Sequence, residues 1–367
     1  VAAHIDSPRL DMKQNPLYES NGFALLDTHY YGGVKSYHWV ASPLALVGVI
    51  CKKDGTTVDI NIGDKADDPV FTISDLLIHL SSEQMAKPAK DAVDAEILDV
   101  IVGGRPVKFD EDDKDAPKEP VKQMFLDILK EQYDVEEEDF LSAELCAVPA
   151  FKAKDLGLDR SMIGAYGHDD RVDAYPALMA EIEVQHPAHT TVCILTDKEE
   201  VGSDGVTGMN SMYAYHFLQQ LCAATGVDSI AAFQASKCLS ADVTAAYDPS
   251  FSEAFEPDNG TYAGRGVAIY KYTGAGGKSS TSDANAELVS YLTRLMNKNG
   301  VVWQIGEMGR LDLGGGGTIA KYVANRDIDT IDIGVPVLAM HSPFEVVSKA
   351  DVYMAYRTFR AFCTDAE

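Results

Sequence analysis

No Cys-x-x-C pair occurs in this 367-residue chain, whose six cysteines stand apart at 51, 146, 193, 222, 238 and 363. That spacing excludes a zinc knuckle and a thiol redox motif, and it fits reduced thiols in a cytosol. No stretch approaches the ~18 consecutive apolar residues of a membrane span, and no secretory signal is visible at the start. The match of Asn259-Gly260-Thr261 to a glycosylation sequon is therefore read as accidental, and a cytoplasmic location is expected. Basic residues are scarce. Lys and Arg number 31 against 57 Asp and Glu, a formal charge of −26. So acidic a surface repels phosphate backbones and argues against nucleic-acid or anionic-membrane partners, while divalent cations suit it.

Several catalytic signatures are also missing. No Gly-x-Ser-x-Gly occurs, so a serine nucleophile elbow is unsupported. No His-Glu-x-x-His occurs, which excludes a single-zinc helix of the thermolysin type. Gly274-Ala275-Gly276-Gly277-Lys278-Ser279 resembles a phosphate loop, but the position that needs its first glycine is Tyr272, and no long apolar helix follows Lys278.

What is present divides the chain in two. The length suggests two domains. Early on, Leu44 to Cys51, Thr56 to Ile62 and Glu96 to Val102 read as strands, rich in β-branched residues and broken by Gly, Asp and Asn. An Asp/Glu/Lys/Pro-rich stretch from about Gly104 to Pro120 reads as an exposed loop, and Val121 to Gln132 has helical spacing. After about residue 153, strand and helix alternate. Helices are expected at Ala174 to Ile182 (with Pro176 in its first turn), Met209 to Ala224, Asp283 to Asn297 and Phe344 to Phe362. Strands are expected at Thr191 to Thr196, Cys238 to Val243, Gly266 to Tyr272 and Ile331 to Leu338. Such alternation implies an α/β domain with a largely parallel central sheet flanked by helices, whose sites form beyond the carboxyl ends of the strands. The chain begins at Val1 inside what reads as a strand, from which a missing N-terminal segment is expected.

Acidic residues and histidines gather at those strand ends. His4-Ile5-Asp6 is one such pair: a carboxylate two residues from a histidine can hold the geometry of a metal ligand. Asp169-Asp170-Arg171-Val172-Asp173 precedes a helix, where Asp169 and Asp170 are well explained by capping and the helix dipole. Asp197-Lys198-Glu199-Glu200 directly follows an apolar strand. One of the two glutamates can hold a metal while its neighbour faces a water, with a solvated loop as the alternative. Asp242 sits in an otherwise apolar strand, and buried charges are rarely unpaired. His341 follows another apolar strand. Together these residues match what two divalent metals about 3.5–4 Å apart require: a bridging carboxylate and further His or carboxylate ligands on each side.

The segments AAHIDSPRL (2–10), YGG with a following HW (31–39), GHDDRVDAY (167–175), DKEEVGS (197–203), LSADVTAAYDP (239–249), DLGGGGT (312–318) and MHSPFEV (340–346) resemble the aspartyl aminopeptidase/aminopeptidase I family, the M18 metallopeptidases, in order and over nearly the whole chain. The resemblance implies two metal ions, zinc first with cobalt or manganese as alternatives. It implies that His4 and Asp242 hold one ion, Glu200 and His341 the other, and that Asp173 bridges both. Asp6 would support the site from beneath the ligands, and Glu199 would be the general base that takes a proton from the water and returns it to the leaving amine. His168 ranks below His4 and His341 as a ligand.

It further implies a catalytic domain of residues 1–16 and 153–367 and an inserted, β-rich dimerisation domain of residues 17–152. Tetrahedral dodecamers built from dimers would follow, with His79 reaching a neighbouring subunit's site and Lys271 contacting an acidic substrate side chain. The resemblance also implies a segment before His4, expected to be missing from this sequence, and Ala245 and Asp248 stand where many relatives carry histidine. The expected activity is removal of acidic or large apolar N-terminal residues from peptides. The rivals are a two-metal deacetylase or carboxypeptidase and a non-catalytic assembly protein, the latter disfavoured by an intact ligand set.

Overall fold

The computed structural model describes residues 1–109 and 116–365, so residues 110–115 of the expected acidic loop lie outside the described residues. The chain divides into two compact units, Val1–Ser7 with Ala153–Glu367, and Pro8–Lys152. Residues 8–16, expected with the catalytic part, belong to the second unit because they open its long strand Arg9–Ser20.

The first unit is built on a six-stranded sheet in the order Ile194–Thr196, Ala2–His4, Lys237–Ala241, Asp329–Gly334, Val267–Tyr270, Trp303–Ile305. The first four strands run parallel. Val267–Tyr270 is antiparallel to Asp329–Gly334 and parallel to Trp303–Ile305, so the sheet is mixed, with four of its six strands mutually parallel. Ala2, Ala3, Leu239, Ala241, Ile331 and Ile333 are all buried. These strands read as apolar runs because helices and chain cover both faces of the sheet. The helix Ala286–Lys298 buries Leu288, Tyr291, Leu292, Leu295 and Met296, a stripe at three- and four-residue spacing. It starts later than Asp283 because Asn285 caps it, accepting from the Leu288 N–H at 2.7 Å. Ala355 and Phe359 of the helix Lys349–Thr364 complete the same core.

Two expected elements split. Ile331 to Leu338 is not one strand: Asp329–Gly334 stays in the large sheet, while Pro336–Leu338 enters a second sheet. The break falls at Gly334, where a Cβ would lie 1.7 Å from the Asp242 carbonyl oxygen, and is fixed by Pro336, which has no N–H to give. Likewise Phe344 to Phe362 divides into the strand Glu345–Ser348 and the helix Lys349–Thr364. The second sheet has the order Thr244–Ala245, Pro336–Leu338, Glu345–Ser348, Met162–Ala165, Lys154–Leu156 and is mostly antiparallel. The helix expected from Ala174 spans His168–Glu183, which places Pro176 in its interior.

The second unit is a six-stranded antiparallel sheet in the order Thr57–Ile62, Leu44–Cys51, Ala143–Pro149, Arg9–Ser20, Phe23–Tyr31, Val100–Gly103. The helix Pro120–Tyr133 buries Val121 and Leu129. Glu96 to Val102, expected as one strand, is a short 3-10 turn at Ala95–Ile97 followed by the strand Val100–Gly103. Among the described residues, no helix is long and apolar enough to cross a membrane.

Candidate metal centre

Parallel strands deliver their carboxyl ends to one edge of a sheet, and the first unit uses that edge. His4 closes its strand opposite Thr196, so residues 197–200 leave beside it, and Asp242 follows the strand Lys237–Ala241. The Asp242 N–H is held by the Ile333 carbonyl at 3.1 Å. After Thr196 the chain tightens into a 3-10 turn, Glu199–Val201, flanked by Lys198 at φ 69° and Gly202 at φ 95°. His341 also has a left-handed backbone, at φ 64°. Such conformations are uncommon for residues with a Cβ and gather at functional sites.

The side chains converge. His4 is 1% exposed. Its Nε2 lies 3.1 Å from Asp169 Oδ1 and 3.7 Å from Asp242 Oδ1. On the other side, His341 Nε2 lies 3.3 Å from Asp169 Oδ2 and 3.4 Å from Glu200 Oε2. Two groups of three have ligand atoms close enough for an ion, His4 with Glu199 and Asp242, and His4 with Asp169 and Glu200. The structure thus brings His4, Glu199, Glu200, Asp242 and His341 together.

Asp173 stands apart from these groups. Four residues beyond Asp169, it is fully buried and its Oδ2 accepts the Val335 N–H at 3.0 Å. The carboxylate between the two histidines belongs to Asp169. Asp169 and Asp170 have non-helical backbone (φ −75°, ψ 105° and φ −118°, ψ 24°), and the peptide between them is cis. The cap explanation that suits an Asp in a regular first turn therefore does not describe Asp169.

Two buried carboxylates hold the walls. Asp6 accepts the Glu199 N–H on Oδ1 at 3.1 Å and the Glu200 N–H on Oδ2 at 3.2 Å, and its Oδ1 lies 3.2 Å from His4 Nδ1. That contact fixes which imidazole nitrogen faces the centre. Glu345 accepts the His341 N–H on Oε1 at 2.8 Å and the Asp169 N–H on Oε2 at 3.1 Å. Sequence reasoning passed over Glu345; its place four residues after His341, between Phe344 and Val346-Val347, was the available signal.

The remaining candidates are not among these ligand groups. His168 Nε2 faces the Ile163 carbonyl at 3.2 Å, and burial lowers its pKa. Lys271 is half-exposed and ion-paired with Asp283, which Lys278 also engages at 2.9 Å. His79 sits in the exposed 3-10 turn Ile78–Leu80 of the second unit.

Without cations the cluster holds protons. Burial, then Asp242, raises Glu199 to about 8; burial, then Asp169, raises Glu200 to about 9. Burial likewise raises Asp173, Asp332 and Glu345 to about 7 each. Asp169 is the exception: burial pushes it up, but His341 and His4 outweigh that and hold it well below the usual carboxylate range. Burial disfavours a charged His4 ring, yet Asp169, Asp242 and Asp6 together raise it well above its ordinary value. Glu200 Oε1 is buried with no hydrogen-bond partner among the described residues. An orphaned carboxylate oxygen among imidazoles and like charges fits a divalent cation, which would satisfy the oxygen and displace the protons.

These shifts set a sign for stability. For these raised carboxyl groups, and for Asp170 and Asp242, which burial also raises, the folded, metal-free chain binds more protons than the unfolded one between roughly pH 4.5 and 9, so stability falls as pH rises through that window. His4, also raised, acts in the same direction, whereas Asp169 is ionised in both states there. In chelator the melting temperature should drop from pH 6 to pH 9, and a zinc-induced rise should grow over the same interval. A chelated protein that becomes more stable towards pH 9 would contradict these protonation states.

Residues 1–363 match the family described as aminopeptidase I zinc metalloprotease (M18). The chain is 47% identical over 366 residues to a probable M18 family aminopeptidase 1 of Clostridium acetobutylicum, covering 99% of this chain and 78% of that one. The crystal structure of an M18-family aminopeptidase from Thermotoga maritima superposes with a TM-score of 0.94 at 45% identity, over 99% of this chain and 80% of that one. That of aminopeptidase I from Clostridium acetobutylicum also gives 0.94, at 46% identity, over 99% and 78%. The chain belongs to the M18 family of metallo-aminopeptidases. It is accordingly a hydrolase, with two overlapping groups of candidate metal ligands.

Proposed function

We propose that the chain removes N-terminal residues from peptides, with His4, Asp169 and Asp242 holding one divalent cation, Asp169, Glu200 and His341 holding a second, and Glu199 moving the proton. The observation that carries this is the position of Asp169, whose two oxygens face His4 at 3.1 Å and His341 at 3.3 Å. Bound there, the cations supply Lewis-acid polarisation of the scissile carbonyl and a fixed charge against which the substrate is oriented. Two imidazoles among carboxylates suit zinc, with cobalt or manganese as alternatives.

Asp6 orients the turn of Glu199 and Glu200 through their N–H groups. From that turn Glu199 takes the proton of the attacking water and returns it to the departing amine. With cations bound nearby, Glu199 would be ionised rather than protonated as in the metal-free cluster, and so able to act as a base. Lys271 is proposed to meet an acidic first side chain of the substrate, in competition with Asp283. His79 is proposed to act at a neighbouring subunit within a homo-oligomer, a dodecamer built from dimers. Supporting that, Leu76, Leu77, Ile78 and Leu80 around it are all exposed, an apolar run suited to burial against a second copy.

A panel of aminoacyl-nitroanilides, each with a free and an acetylated amino terminus, tests the reading with zinc, cobalt and manganese added in turn. Free-amino substrates should be cleaved and acetylated ones spared, with Lys271→Met selectively weakening turnover of the acidic member. Preferential cleavage of the acetylated set would favour a deacetylase. Full activity after metal removal would sink the metal mechanism.

A further inference from the structure

Glu345 is 1% exposed and lies at the start of the strand Glu345–Ser348, paired with Ala165 in the strand Met162–Ala165. Its carboxylate joins two loops that regular secondary structure does not join. Oε1 accepts the N–H of His341, in a turn with left-handed backbone, and Oε2 accepts the N–H of Asp169, in a first helical turn that is unwound. The Asp169 donor is buried and the His341 donor partly buried, and both belong to residues whose side chains meet at 3.3 Å. Asp6 does the same for Glu199 and Glu200 on the opposite wall. One carboxylate therefore fixes each wall.

We infer that Glu345 is a positioning residue that sets the separation of Asp169 and His341 and thereby the affinity of the cation those two share. The inference rests on the proposed reading of both as ligands. It predicts an asymmetry: both N–H groups that Glu345 accepts belong to ligands of the ion held by Glu200 and His341, whereas only the Asp169 one serves the ion held by His4 and Asp242, so the first ion should suffer more. A residue that merely stabilised the fold would show no such preference.

Glu345→Gln is the direct test, because the amide retains one acceptor where two N–H groups need one each. Glu345→Asp is the companion variant, keeping the charge but too short to reach both loops, and it carries the comparison if the glutamine variant does not fold. Zinc binding is followed by competition with a chromophoric chelator, and melting is recorded in chelator and in zinc. Wild-type protein should bind two ions. The variant should bind the ion held by Glu200 and His341 about 10–100-fold more weakly, as loss of a partner behind a ligand does, and the ion held by His4 and Asp242 should weaken distinctly less. Its melting temperature in chelator should stay within a few degrees of wild type, while the zinc-induced rise shrinks. Two ions bound at wild-type affinity would overturn the inference. So would equal weakening of both ions with a matching loss of stability in chelator, the pattern of a purely structural residue. Wild-type protein that fails to bind two ions would instead overturn the ligand reading beneath it.

Discussion

Glu199→Gln is expected to lower kcat by about 10²–10⁴-fold, the usual contribution of a positioned general base, while leaving the zinc content at two ions per chain. The reason for separating these readouts is geometric. Glu199 lies close enough to His4 and Asp242 to complete a three-ligand group, so its carboxylate is placed either to hold an ion or to work beside one. Glutamine is nearly isosteric and still lets Asp6 accept the backbone N–H, but it takes up no proton at neutral pH. A base lost in this way leaves metal and melting temperature in place. A lost ligand takes metal with it. Zinc stoichiometry by elemental analysis, beside kcat on a free-amino nitroanilide, separates the two. Near-normal turnover would remove Glu199 as the base, and loss of an ion would reassign it as a ligand.

Asp169→Asn and Asp173→Asn should differ sharply although the residues are four apart. Asparagine at 169 leaves one oxygen where two histidine-bearing walls converge, so both ions should weaken, by at least the ~100-fold that loss of a mere outer partner can cost. Peptidase activity should fall with them. At 173 the asparagine oxygen can still accept the Val335 N–H. The native carboxyl, raised by burial to about 7, already carries a proton much of the time near neutral pH, so the amide mimics its protonated form. Zinc binding should persist, with a stability change on the order of 1 kcal/mol, the scale of one hydrogen bond. The measurement is a zinc titration of the two variants side by side. Retained binding in Asp169→Asn with loss in Asp173→Asn would restore Asp173 as the bridge.

That pair marks where the sequence could be read and where it could not. His4, Glu200, Asp242 and His341 were legible because each follows an apolar run that predicts a strand, and parallel strands deliver their ends to one edge. Asp169 was not, because an Asp at the start of a helical pattern is ordinarily explained by capping. Only the unwound backbone at Asp169 and Asp170 shows that its side chain faces the histidines instead. Glu345 carried a signal, a carboxylate between Phe344 and Val346, but the two backbone N–H groups it accepts show only in the structure.

In the fold, the buried helix Ala286–Lys298 was legible from its stripe and the strands Leu44–Cys51 and Thr57–Ile62 from their β-branched content. Arg9–Ser20 was not. Its Lys13-Gln14-Asn15-Pro16 run breaks the alternation, and the strand absorbs the interruption as a register shift between Met12 and Leu17. The division of Ile331 to Leu338 between two sheets was equally hidden, since both halves are apolar and the cause is a close approach at Gly334.

The most direct measurement is anomalous diffraction from crystals of the protein grown with zinc. Two peaks about 3.5–4 Å apart are expected, with one Asp169 oxygen on each, His4 and Asp242 completing the first and Glu200 and His341 the second. A single peak, or a pair bridged by any carboxylate other than Asp169, would contradict the proposed centre.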